Sequence, residues 1–261
     1  MMGRQALIGY TGFIGGNLAA QEHFDDLFNS SNIEQIANRE YSLIACAAAP
    51  GTKWFANQQP ELDRRSIERL VGALKQVQAD HLVLISTVDV YPVPIGVDEN
   101  TPIDNRQNDA YGRHRRILEE FVADHFASTI VRLPGLFGPG LRKNVVFDFL
   151  HGNRLDLINP ESTFQFYDLS DLWLDIQRVR RAAIDLINFA TEPVRVADVA
   201  REAFDFEFSN EMRQQAAKYD FRTVHSAALG GDGPYLRSRE AILGAMREFI
   251  ARERIRAAGD L

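Results

Sequence analysis

The stretch Gly9-Tyr10-Thr11-Gly12-Phe13-Ile14-Gly15 follows an apolar run and leads into a helix-like segment. Glycines at this spacing permit a tight strand-to-helix turn and leave the first helical N–H groups to an anion such as a pyrophosphate. A plain turn without a ligand has the same glycine requirement, so the spacing alone leaves both readings open. A dinucleotide would also need a partner for its adenosine ribose at the end of the second strand, where this chain has Asn29, Ser30, Ser31 and Asn32 and no carboxylate. No Lys or Arg occurs between residues 5 and 38, so a 2′-phosphate would meet no local cation. For a bound dinucleotide the choice between NAD and NADP stays open, with a slight lean to NAD. A second constellation begins with Ser86-Thr87-Val88-Asp89-Val90-Tyr91, which closes another apolar run, and continues with Tyr111-Gly112-Arg113-His114-Arg115 at a helix start.

The elements that would position these residues are legible from periodicity. Short apolar runs at 5–10, 41–49, 81–87 and 128–133 alternate, after the second of them, with longer stretches of helical spacing, the pattern of a parallel sheet with crossover helices. In 61–77, Leu62, Ile67, Leu70, Val71, Leu74 and Val77 form one stripe after Pro60. In 109–126, Ala110, Ile117, Leu118, Phe121 and Val122 form another, with Asn108 placed to cap it. The many charges on both segments read as solvated faces. Between residues 10 and 41 there is room for one helix, a short strand near 25–30 and one helical turn. The sequence PGLFGPG at 134–140 breaks the pattern, and mixed helices and short strands follow. The expected fold is α/β, a Rossmann-type doubly wound parallel sheet with a small C-terminal substrate-binding lobe. Residues 1–134 form the dinucleotide-binding core, and 135–261 supply the lobe and return elements to the core. The last long helix is expected at 238–256, with Ile242, Leu243, Met246, Phe249 and Ile250 inward.

Bulk properties set the outer limits. A chain of 261 residues that is 45 % hydrophobic and 25 % charged is globular, and a net charge of −7 argues against wholesale binding to nucleic acid. No window approaches the roughly 20 apolar residues of a membrane span, and Arg4 is followed at once by a strand pattern, so a cytoplasmic protein is expected. Cys46, the single cysteine, lies in LIACAAA and reads as a core residue, and the six histidines are scattered, so no metal site is expected.

Taken in order, Gly9-x-x-Gly12-x-x-Gly15, Ala47-Ala48-Ala49 closing a strand, Ser86-Thr87-x-x-Val90-Tyr91, Tyr111-x-x-x-Arg115 and the segment RLPGLFGPG resemble the extended short-chain dehydrogenase/reductases, the NAD(P)-dependent epimerase/dehydratase group. The resemblance covers about residues 5–200. It implies a cofactor site that includes Gly9, Thr11, Gly12, Phe13, Ile14, Gly15, Asn29, Ser30, Ala47, Ala48, Ala49, Tyr111, Arg115 and Pro134. It also implies that Tyr111 is a general acid/base whose proton exchange accompanies hydride exchange at the nicotinamide, and that Thr87 hydrogen-bonds the reacting oxygen.

Several positions depart from the family's pattern. Arg115 stands where the family has a lysine that holds the nicotinamide ribose; it is bulkier and does not give up a proton. Asp89 stands where dehydratases and decarboxylases of the group carry an acidic second base, and its other reading is a loop carboxylate capping backbone N–H groups. Asp63 stands where the family often has Asn and reads as a surface charge. Phe164 replaces an arginine that contacts a nucleotide diphosphate; Arg142, Lys143 and Asn144 are alternatives for phosphates, or else a solvated helix start. Trp54 and Phe55 read as core residues or as pocket lining. The function implied is an NAD(P)-dependent enzyme acting on a hydroxyl or ketone of a sugar or nucleotide sugar, as epimerase, dehydratase or reductase. The alternative is an NAD(P)-binding sensor or scaffold with little or no catalysis. A homodimer paired through 61–77 and 109–126 is implied as well.

Overall fold

A computed structural model describes residues 3–212 and 215–259. Along the chain, β1 (Gln5–Ile8) and α1 (Phe13–Gln21) are followed by β2 (Asp26–Phe28), β3 (Glu40–Tyr41), β4 (Leu43–Cys46), α2 (Lys53–Gln58) and α3 (Pro60–Leu74). Next come β5 (Gln78–Ala79), β6 (Leu82–Thr87), α4 (Ala110–His125), β7 (Ser128–Leu133) and β8 (Gly135–Phe137). The remainder is α5 (Val145–His151), β9 (Thr163–Phe164), β10 (Phe166–Asp168), α6 (Leu172–Arg181), β11 (Leu186–Asn188), β12 (Val194–Arg195), α7 (Val196–Ala203) and α8 (Arg239–Gly259).

These elements fall into two compact units. The first comprises residues 1–93, 99–133 and 172–188, and the second 94–98, 134–171 and 189–261. In the first unit six parallel strands lie in the order β11-β7-β6-β4-β1-β2. Ala6, Ile8, Ile44, Cys46, Leu82 and Leu84 present apolar side chains to α3 and α4, whose Ile67, Leu70, Leu74, Leu118 and Val122 complete that layer. Burial on both faces is why β4 and β6 read as unbroken apolar runs. It also raises the Cys46 thiol to about 11, so this cysteine is an inert packing residue. From β1 the chain first adds β2 on one side and then β4 on the other, so the strand order reverses between β1 and β4. Ligands of such sheets bind at that reversal, outside the carboxyl ends of the strands.

The second unit has its own core of Phe137, Val146, Phe166, Val199, Met246 and Phe249, built by α5, α7, α8 and the β8–β10 pair. Ile242, Leu243, Met246, Phe249 and Ile250 of α8 face inward as the sequence indicates.

Three local expectations need correcting. The α4 cap is Asp109, whose carboxylate accepts the Gly112 N–H at 2.9 Å, while Asn108 donates its amide to the Val90 carbonyl at 2.7 Å. The charges of α4 are not all solvated, because Arg115 and Glu119 are buried. Trp54 and Phe55 are exposed on α2 and belong to no core, since a six-residue helix has no second face to sink them.

Candidate active site

The glycine turn sits at the strand-order reversal and shows why glycine is needed there. Gly9 has φ of +93°, and a Cβ on it would lie 2.5 Å from the Ala47 carbonyl oxygen. A Cβ on Gly15 would lie 2.0 Å from the Gly9 carbonyl oxygen, so α1 enters the turn closer to β1 than any side chain allows. Ala47 is tied to β1 by its own N–H on the Ile8 carbonyl at 2.8 Å, which holds the Ala47-Ala48-Ala49 segment against the cradle. Gly12 is the N-cap of α1, with no side-chain cap and no acidic residue in the first turn. No carboxylate in the first turn competes for the N–H groups around Phe13 and Ile14. Gly15→Ala is expected to lower stability by about 3 kcal/mol, as overpacking against backbone does. The check is a thermal melt of that variant beside Gly16→Ala, where the added carbon would meet nothing closer than 3.6 Å.

At the end of β2, Asn29 uses its carboxamide oxygen locally, accepting from the Ser31 N–H at 2.8 Å and hydroxyl at 2.6 Å, while Ser30 sits in the turn between them. The arginines that the fold brings to this strand, Arg4 and Arg39, both pair with Asp26, at 2.9 and 3.2 Å.

The second constellation assembles at the carboxyl end of β6. Thr87 ends the strand, and the chain turns through a single 3-10 turn, Val88–Val90, whose Asp89 N–H donates to the Thr87 Oγ1 at 3.2 Å. The first turn of α4 packs directly on this turn. A Cβ on Gly112 would lie 2.1 Å from the Asp89 carbonyl oxygen, and the lack of one sets Tyr111 beside Thr87. Thr87 Oγ1, which accepts from the Asp89 N–H, also shares a hydrogen bond with the Tyr111 phenol. Burial pushes the Tyr111 phenol above its usual value near 10. The Arg115 guanidinium, the Thr87 hydrogen bond and the Lys53 ammonium pull it back, while the Asp89 carboxylate pushes it further up. The resting phenol is a proton donor.

Arg115 lies where helical spacing puts it, one turn after Tyr111, with its guanidinium 4.0 Å from the Tyr111 ring centroid. Its N–H groups are bound in a direction that the sequence does not suggest. Nη1 and Nη2 bracket the Asp63 carboxylate at 2.5 and 2.8 Å, and Nη2 also reaches the Pro50 carbonyl. His114 Nδ1 meets the same carboxylate at 2.7 Å. Asp63 is thus a buried anion rather than a surface charge. Its burial, which would raise its carboxyl, is outweighed by Arg115 and His114, which hold it below the usual range. Arg115 fixes the helix and the Pro50 turn in place, and only its Nε has no hydrogen-bond partner.

Two groups at this site escape the sequence reading. Lys53, on α2, reaches Asp89 with its ammonium at 2.7 Å and Asp109 at 3.8 Å. Asn57, one turn further along α2, accepts the Tyr111 backbone N–H at 3.0 Å and donates to Asp109 at 2.9 Å. The only warning in the sequence is a polar pair at i and i+4 beside Trp54 and Phe55. Beneath the site, Glu119 binds Ser86 at 2.6 Å and Arg132 at 2.6 and 2.9 Å. Arg132 in turn binds the Tyr91 hydroxyl at 2.7 Å, and Asn188 meets that hydroxyl at 3.0 Å. This closed network anchors the floor on which Thr87 stands.

In the second unit, Asn144 spends its side chain capping α5, accepting from the Val146 and Phe147 N–H groups, which is the helix-start reading of that position. Among the described residues no three His, Cys, Asp or Glu side chains converge as a metal site, and no helix is long and apolar enough to cross a membrane.

The model of the NAD dependent epimerase/dehydratase family matches residues 17–151, from α1 to the end of α5. The chain belongs to that family. Among curated proteins the sequence finds no match. Solved structures show the fold at low identity. The NAD dependent NDP-hexosamine 5,6-dehydratase TunA, involved in tunicamycin biosynthesis, is 19 % identical with a TM-score of 0.72 over 95 % of this chain and 97 % of its own. A dTDP-4-dehydrorhamnose reductase from Bacillus anthracis, in complex with NADP, is 17 % identical with a TM-score of 0.74 over 97 % and 100 %. A UDP-galactose 4-epimerase is 16 % identical with a TM-score of 0.69 over 96 % and 99 %. These three structures, a dehydratase, a reductase and an epimerase, share one framework.

Proposed function

We propose that this protein is an NAD(P)-dependent enzyme that acts on a hydroxyl or ketone of a nucleotide sugar, with Tyr111 as its acid/base. The observation that carries the reading is the Tyr111–Thr87 pair, a buried phenol hydrogen-bonded to a strand-end hydroxyl in the same unit as a glycine cradle that no Cβ would fit. Gly9, Thr11, Gly12, Phe13, Ile14 and Gly15 would hold the pyrophosphate, Asn29 and Ser30 the adenosine end, and Ala47–Ala49 one wall. When bound, the cofactor supplies hydride exchange. Tyr111 Oη holds the proton that moves to or from the sugar oxygen, and Thr87 orients that oxygen. Asp89 is the candidate second base at the rim. The absence of Lys and Arg from residues 5–38 supports NAD over NADP, since the residues that follow β2 offer no local cation to a 2′-phosphate. The exposed Leu62 on α3 and Ile117 on α4 support a two-fold pair through those helices.

A second reading, a dinucleotide-binding sensor with little turnover, is favoured by one observation: Arg115 is engaged by Asp63 and Pro50, so no lysine-like group on α4 serves the ribose. Mass spectrometry of the nucleotide released on denaturation, followed by assay against a panel of nucleoside diphosphate sugars, separates the two. The enzyme reading expects NAD and turnover of at least one sugar. NADP in its place overturns the cofactor assignment, and bound nucleotide with no turnover across the panel favours the sensor.

A further inference from the structure

Two ion pairs act on the Tyr111 phenol. In one, Asp63 of α3 holds Arg115 of α4 through two hydrogen bonds, and both side chains are buried. In the other, Asp89 in the turn after β6 pushes the phenol up through its charge, and Lys53 of α2 meets its carboxylate at 2.7 Å. Arg115, held by Asp63, pulls the Tyr111 phenol down, while the Asp89 carboxylate pushes it up, so a second cation beside Asp89 adds to what Arg115 does. Without Lys53, Asp89 would set a bare negative charge beside a phenol that must shed its proton. Lys53 is also differently placed from Arg115: its side chain is 41 % exposed, against 2 % for Arg115, so it can exchange protons with water.

We propose that Lys53, from α2, shares with Arg115 the electrostatic task that the lysine of the family's Tyr-x-x-x-Lys pair performs from the catalytic helix. It neutralises Asp89 and keeps the surroundings of the Tyr111 phenol from turning negative. It is a positioning residue, acting on Tyr111 through the field and through Asp89. The geometry of α2 fits this task. Asn57, on the same helical face, binds the Tyr111 backbone and Asp109, and Lys53 approaches Asp109 as well, so α2 is fastened to the start of α4 at both turns. The charged groups that act on the phenol are Arg115 from α4, Asp89 from the turn after β6 and Lys53 from α2, with Asp63 of α3 bonded to Arg115 and the α4 cap Asp109 approached by Lys53. His114 acts only through Asp63. The inference rests on the reading of Tyr111 as acid/base.

The test follows the ionisation of Tyr111 directly. Protein labelled with carbon-13 at the tyrosine ring Cζ and saturated with NAD is titrated by NMR, with Tyr111→Phe identifying the resonance. The expected result is an ionisation midpoint that moves upward in Lys53→Met and returns in Lys53→Arg, which restores the charge and not the proton exchange. An unmoved midpoint in Lys53→Met overturns the inference, whatever the turnover. Because Lys53 is half-exposed, Lys53→Met is expected to melt with the parent protein, and circular dichroism checks this. Loss of activity in Tyr111→Phe with an unmoved midpoint in Lys53→Met would sink the lysine assignment alone, whereas full activity in Tyr111→Phe would sink the acid/base reading on which it stands.

Discussion

Tyr111→Phe is expected to lower kcat by about 10²- to 10⁴-fold on whichever nucleotide sugar the protein turns over, the range that positioned proton transfer contributes. The substitution removes one oxygen from a ring that is otherwise packed, 8 % exposed and stacked against Arg115 at 4.0 Å. Its backbone N–H bond to Asn57 is untouched. The cradle of Gly9, Gly12 and Gly15 lies at a different loop, so nucleotide retention, read by mass spectrometry on the same preparation, is expected to be unchanged. KM is expected to move little, because the lost interaction belongs to the proton transfer and not to ground-state binding. Thr87→Val gives a milder loss by the same logic, since it leaves the phenol in place and removes its orienting partner. A Tyr111→Phe enzyme that turns over at the parent rate would remove the phenol from the chemistry.

The sheet and cradle were legible because they obey local rules. Two faces of burial make β4 and β6 continuous apolar runs, and the close approach of Gly15 to the Gly9 carbonyl admits only one residue type. Tyr111 and Thr87 were legible through spacing, because a strand end and the next helix start meet wherever the sheet is parallel. What stayed hidden are partnerships across elements. Nothing local distinguishes Asp63, which binds Arg115, from Glu61, which pairs with Arg64 on the exposed face of the same helix. Two departures from the family pattern, an acid at 63 and an arginine at 115, are one compensated pair in space. Read singly, each looked like a loss. Lys53 was hidden for the same reason: its partner Asp89 lies 36 residues away, and α2 is too short for periodicity to orient it.

The compensated pair sets the second large effect. Asp63→Ala is expected to destabilise the folded protein by about 3–5 kcal/mol, because it leaves the Arg115 guanidinium buried without its anion. Arg115 cannot escape by losing its proton, and the Pro50 carbonyl and Tyr111 carbonyl that remain are neutral acceptors. Asp63→Asn keeps the shape and some hydrogen bonds and is expected to cost less. The double variant Asp63→Asn with Arg115→Lys, which recreates the family's usual pair, is expected to recover part of the loss, so the two single effects are not additive. The same pair predicts an acid limb. A carboxyl held below its unfolded value near 3.9 contributes stability that is present above that value and lost as the pH falls through the lower, folded value. Parent protein and Asp63→Asn, melted from neutral pH downward, are therefore expected to keep their difference above about pH 3.9 and to draw together only below it. The difference between them would have to be constant with pH for Asp63 to be an ordinary surface carboxylate.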